Sequence, residues 1–147
     1  MQVTIKHGSV EECYQIACLI PEFAGDSYPL NEYENRLKGK RHSILIAEID
    51  GQPAGFKIGY ESDKSGVFYS WMGGVIPQFR KNRLATQLAE KQEEIAKENG
   101  FEKIEFKTRN YLKPMLIFAL QRGFDIIGVE PRNESYQNRI ILRKQLR

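Results

Sequence analysis

Three cations, Arg80, Lys81 and Arg83, crowd the stretch FRKNRLATQL at residues 79–88, just where an amphipathic helical pattern begins at Leu84. The amino end of a helix carries a positive partial charge, and a misplaced cation there costs on the order of 0.3–1 kcal/mol. The same end presents unpaired amides on which phosphates sit readily. With a diphosphate over those amides, the cations become counter-charges and the penalty reverses sign. A solvated basic turn is the plainer alternative, and this stretch alone does not separate the two.

Immediately upstream, VFYSWMGGV at 67–75 reads as a strand interrupted by Gly73-Gly74. Such a pair marks a bulge or a close approach to the backbone. A bulge here would splay Val75 from the next strand and leave main-chain groups free. An extended ligand bearing amides would pair with them as an added strand does. Relief of crowding beside Trp71 is the competing explanation.

These residues need a frame to position them. Residues 2–6 suit a short first strand. Ser9 and Glu12 form a capping box, and Cys13, Ile16, Ala17 and Ile20 follow at helical spacing before Pro21. Residues 30–38 form a second short helix with Gly39 as its stop. ILIAEI at 44–49 and AGFKIGYE at 54–61 flank the hairpin turn Asp50-Gly51. In the second of these, Phe56, Ile58 and Tyr60 alternate with Lys57, Gly59 and Glu61, which predicts one buried face.

From Leu84 to Asn99 a helix buries Leu84, Ala85, Leu88, Ala89, Ile95 and Ala96, with Glu93 and Lys97 paired on its wet side. FEKIEFKT at 101–108 alternates as a strand. PMLIFALQ at 114–121 is a helix between Pro114 and Gly123, and strands near 124–130 and 136–143 close the chain. This order predicts an α/β domain with a mixed sheet and helices on both faces.

The 147 residues suit a single domain over 1–147, and 41% hydrophobic with 28% charged residues is an ordinary globular composition. No apolar run approaches the roughly 20 residues that span a bilayer, so no membrane partner is expected. The start MQVTIKHGSVEEC lacks the apolar core of a signal peptide, which points to the cytoplasm. A net charge of +3 suits a small polyanion and falls short of a nucleic-acid protein. Cys13 and Cys18 fit neither a zinc nor a redox pattern and read as buried or half-buried free thiols. His7 and His42 stand apart, so no metal site is expected.

Val75-Ile76-Pro77-Gln78-Phe79-Arg80-Lys81-Asn82-Arg83-Leu84-Ala85 resembles the acyl-CoA-binding motif of the GNAT N-acetyltransferases, Val-x-Pro-x-aromatic-Arg-x-x-Gly-x-Gly/Ala. Val75, Pro77, Phe79, Arg80, Leu84 and Ala85 fall in place, while Arg83 stands at the usual first glycine. Asn110, Met115, Gly123 and Phe124 resemble the second half of the family pattern, and the order of elements matches along nearly the whole chain.

The resemblance implies the acyl-CoA N-acyltransferase fold: a mostly antiparallel sheet of about seven strands with a splayed central pair, and about four helices. It implies acetyl-CoA as acyl donor, lying between the fourth and fifth strands. Val75 and Ile76 would hold its pantetheine arm through the main chain. The amides from Arg80 through Lys81, Asn82, Arg83 and Leu84 to Ala85, with Thr86, would hold the diphosphate. Asn110 would contact the arm or the adenosine side, and Lys113 the 3′-phosphate.

The implied reaction is direct attack of an amine on the thioester, which needs a polarised carbonyl and a proton for the departing thiolate. The usual family tyrosine is replaced by Ala119, leaving Tyr69 or water as the acid and Glu61, through a water, as a candidate base. The acidic, tyrosine-bearing stretch 21–34, with Glu22, Asp26, Tyr28, Glu32, Tyr33 and Glu34, suits a cationic amine with an apolar body. Homodimers occur among such proteins. A CoA-sensing module without chemistry, or an RNA-binding domain using Tyr69 and Trp71, are the alternatives.

Overall fold

Asp50 and Gly51 both take positive φ (49° and 82°), so the turn closes a tight hairpin between β2 (His42–Ile49) and β3 (Gln52–Glu61). Around that hairpin the computed structural model, which describes residues 1–23 and 28–147, forms one sheet of seven strands. β1 (Val3–His7) flanks β2, and β4 (Val67–Val75) follows β3. Beyond β4 come β5 (Lys103–Arg109), β7 (Arg139–Gln145) and, at the edge, β6 (Asp125–Glu130). Every neighbouring pair is antiparallel except β4 and β5. Tyr136 and Gln137, expected at the start of the last strand, lie instead in a 3-10 turn (Ser135–Gln137).

Helices cover both faces. α1 (Val10–Ala17), with the Ser9–Glu12 capping box, and α2 (Leu30–Leu37) pack on one face with Ile46, Phe56, Ile58, Tyr60 and Met72. α1 ends at Cys18, short of Pro21; Cys13 is buried, but Cys18 is exposed rather than part of the buried face. α3 (Leu84–Glu98) and α4 (Lys113–Gln121) lie on the opposite face. There Leu84 and Leu88 join Leu45, Ala47 and Val75, while Ala96 and Ala119 join Phe68, Ile104 and Leu142. Each such fully buried large side chain contributes about 1.5–3 kcal/mol of transfer free energy.

β3 departs from the expected single buried face. Gly55 and Gly59 are buried on the α3 side, where a methyl on Gly59 would lie 2.3 Å from Phe68 Cε2 and 2.7 Å from Gln92 Nε2. The missing side chains let α3 settle directly onto the strand. Glu93 likewise turns from solvent and Lys97 toward Arg122 (2.5 Å) and Lys144 (2.7 Å). At the far edge Ile126, Ile127 and Val129 of β6, and Met115, Ile117 and Leu120 of α4, remain exposed. Among the described residues no helix is long and apolar enough to cross a membrane.

Candidate functional site

β4 and β5 pair only where Val67, Phe68 and Tyr69 meet Lys103, Ile104 and Glu105. Past Tyr69, β4 continues to Val75 and β5 to Arg109 with no rungs between them, so a wedge opens in mid-sheet. β4 is bulged at Trp71, which has no partner in β3, whereas Gly73 and Gly74 pair regularly with Lys57 and Phe56. The expected bulge thus sits two residues early. The glycines serve close approach: a methyl on Gly74 would lie 2.7 Å from Ile20 Cδ1.

The basic turn stands at the wedge mouth. Lys81 and Arg83 both have positive φ (71° and 60°), and Arg83 caps α3 without a side-chain hydrogen bond. Successive N–H groups from Lys81 to Thr86 have no hydrogen-bond acceptor among the described residues. Such a run at a helix start is an anion-binding concavity. Leu84 is buried and anchors the turn, leaving Lys81, Arg83 and Ala85 exposed.

The neighbouring groups are already engaged. The Arg80 amide donates to Pro77, its Nε donates to the Val75 carbonyl at 3.1 Å, and its Nη2 to Glu22 at 2.9 Å. That hydrogen bond from Arg80 holds the Glu22 carboxyl below its ordinary range. The Ile76 amide donates to Ala54 and its carbonyl accepts from Phe79. The Arg80 amide and the Ile76 main chain, both expected to meet the ligand, are therefore already engaged in bracing the turn. Across the mouth, Asn110 accepts from Lys113 Nζ (2.9 Å) and donates to the Ser135 carbonyl, tying the end of β5 to the loop before β7.

On the α1–α2 side of the wedge lies an aromatic cluster. Trp71 packs against Tyr28, Tyr33 and Tyr60, and Tyr69 against Tyr60 at 5.5 Å. The Arg36 guanidinium lies 4.4 Å over the Trp71 ring and donates to Glu32. Tyr69 and Trp71 are thus half-buried in this cluster, not laid beside the basic turn as an RNA platform requires.

The sequence pattern of the Acetyltransferase (GNAT) family matches residues 10–124. The chain belongs to the GNAT family. Solved structures agree on the fold of this GNAT chain. The ribosomal-protein-S18-alanine N-acetyltransferase of Escherichia coli superposes with a TM-score of 0.84 at 14% identity, over 99% of this chain and 94% of that one. Ard1 from Thermoplasma volcanium gives 0.81 at 16% identity over 99% and 98%. The PaiA N-acetyltransferase of Thermoplasma acidophilum, solved with coenzyme A, gives 0.76 at 16% identity over 99% of each chain. A search of curated proteins finds no match.

Within this GNAT fold the two expected catalytic groups fare differently. Glu61 lies at the closed end of the sheet, opposite Phe68, beside a shallow hollow of about 710 Å³ lined by Lys40, Arg41 and His42. It accepts from the Arg41 amide (2.9 Å) and Nε (3.2 Å), and these bonds hold its carboxyl below the ordinary range. The carboxylate expected as base is thus locked by Arg41 at the end of β3 remote from the open part of the wedge. Tyr69 sits at the apex of the wedge, and burial pushes its phenol up to about 12, so it keeps its proton.

Ala119, where the resemblance implied a tyrosine in relatives, is buried against Phe124 and Ile104 and offers no hydroxyl. Asp26, expected on the acceptor wall, lies outside the described residues. Glu22 and Glu32 are neutralised by Arg80 and Arg36, leaving Glu34 exposed on that wall.

Two groups escaped the sequence reading. Glu105, register partner of Tyr69, is buried and accepts from Lys64 (3.0 Å) and Arg143 Nε (2.7 Å). Burial opposes its ionisation, yet those two cations outweigh it and hold it below the usual carboxylate range. Lys57 reaches over Gly73 on the α3 side of the wedge. Its signal was visible: a lone cation between Gly55 and Gly59. Among the described residues no three His, Cys, Asp or Glu side chains gather as a metal site.

Proposed function

We propose that this protein transfers an acetyl group from acetyl-CoA to a primary amine of a small molecule or peptide. The supporting observation is the unpartnered amide run from Lys81 to Thr86 at the mouth of a wedge that lacks strand rungs. Those amides bind the paired phosphates, with Lys81 and Arg83 as counter-charges and the Thr86 hydroxyl within the same turn. The uncovered edge of β4 up to Val75 receives the amide-bearing arm as a strand would. Asn110 and Lys113, on the other lip, face the adenosine and its 3′-phosphate.

Acetyl-CoA supplies an activated acyl thioester; the chain supplies position, donors and a dry wall. The amine attacks directly from the aromatic side, with no covalent enzyme intermediate. Because Arg36 and Arg80 already neutralise two of the acids, the Tyr28, Tyr33 and Trp71 surface carries most of the acceptor selectivity. An acceptor with an apolar body is favoured, and cationic character is a secondary preference. The reading keeps the chain as one cytoplasmic domain, and the exposed β6–α4 face is where two copies would pair.

Calorimetry with CoA, together with free-thiol release from acetyl-CoA across polyamines, amino acids and aminoglycosides, tests this. Saturable CoA binding and thiol release with at least one amine are expected. Absence of CoA binding would sink the proposal. Binding without thiol release for any amine would favour the sensing module, a reading that the buried Ala119 supports.

A further inference from the structure

Lys57 is the group that the site described so far leaves without a task. It stands on the α3 face of β3, directly across from Gly73 of β4. A methyl on Gly73 would lie 3.2 Å from Lys57 Cγ and 3.5 Å from its Nζ, so the side chain lies over the very residue that borders the wedge. A residue with a side chain at position 73 would contest that space; glycine yields it.

The lysine is half-buried, and its Nζ has no hydrogen bond or ion pair among the described residues. The carboxylate facing it, Glu93 of α3, is already shared by Arg122 at the end of α4 and Lys144 of β7. Gln92, the next α3 side chain along this strip, is fully buried with both Nε2 and Oε1 unpartnered among the described residues. Burial, helped by Arg122 and opposed by Glu93, lowers the Lys57 ammonium to about 8.

We propose that Lys57 is the proton donor to the departing sulphur of the acyl donor, in place of the hydroxyl that Ala119 lacks. The inference rests on the acyl-CoA reading above. An arm laid along β4 from the amides at Lys81–Thr86 passes Val75 and then Gly73, about 7 Å further on. Lys57 flanks it there from the α3 side, while the amine approaches from the aromatic side. As the C–S bond breaks, its electron pair stays on sulphur and Lys57 Nζ transfers one proton to it, leaving a neutral lysine. The proton shed by the acylated nitrogen restores the ammonium through solvent. A donor that titrates near the working pH suits this exchange.

The test uses CoA itself and the ultraviolet absorbance of its thiolate. Bound to the unaltered protein, the thiol should titrate about one to two pH units below free CoA, because a cation beside it favours the thiolate. Lys57→Met should bind CoA within about threefold of wild type, a change of well under 1.4 kcal/mol, but lose that displacement. Lys57→Arg should keep it. A melting temperature for Lys57→Met no lower than wild type shows that the fold is intact. A bound thiol that titrates alike in wild type and Lys57→Met overturns the role of Lys57 alone. Failure of wild type to bind CoA removes the acyl-CoA reading, and this inference with it.

Discussion

Arg83 holds a conformation that its side chain resists. At φ 60° and ψ 21° it sits in the left-handed region, where a Cβ crowds the following carbonyl at a cost of roughly 1–2 kcal/mol. Its carbonyl nevertheless opens α3 by accepting from Gln87, so the turn cannot relax without losing the helix start. Arg83→Gly should therefore raise unfolding stability by about 1 kcal/mol in urea titration, although Gly adds chain entropy to the unfolded state. A loss of stability would show that the arginine carries contacts worth more than its strain. The three-cation puzzle resolves residue by residue: Arg80 is a brace to Glu22 and Val75, while Lys81 and Arg83 supply exposed charge.

Elements rather than residues explain why α3 lies so near the sheet. Gly55 and Gly59 leave a channel that Leu88 and Gln92 fill, so Gly59→Ala forces a methyl to within 2.3 Å of Phe68. Overpacking of this kind costs typically 1–3 kcal/mol, and thermal unfolding should show a lowered midpoint. Element identity was legible from the sequence because capping, hairpin and periodic signals are local. Ser9–Glu12, Asp50-Gly51 and the Leu84–Ala96 pattern each depend on neighbours a few residues away. The bulge was misplaced to Gly73-Gly74 because its position depends on the register with β3, which glycine content does not report. Glu93 was misjudged for the same reason: Arg122 and Lys144 reach it from elements 29 and 51 residues away. The diphosphate turn was legible as a motif, whereas the engagement of the Ile76 amide by Ala54 emerges only once strands pair.

At the scale of the whole molecule the sheet is two slabs, β1–β4 and β5–β7, joined by three residue pairs. Glu105 lies at that junction as a buried carboxylate serving Lys64 and Arg143. Glu105→Gln should cost about 1–3 kcal/mol, since it leaves two cations partly uncompensated. Because the folded carboxyl lies below its ordinary 4.5, its contribution is present above that pH and is lost as pH falls through the lower folded value. Denaturation curves of wild type and Glu105→Gln should therefore converge on acidification below about pH 4.5. Curves that stay equally separated at pH 3 would show that the glutamate acts through shape and not charge.

The short junction is not the slabs' only connection. α3 is anchored to the first slab by Leu84 and Leu88 and to the second by Ala96, so it acts as a strap across the seam. Its buckle is the opening turn at Arg83. Whatever grips that turn also tightens the joint between the slabs, and an occupied wedge should behave mechanically as a stiffer sheet than an open one.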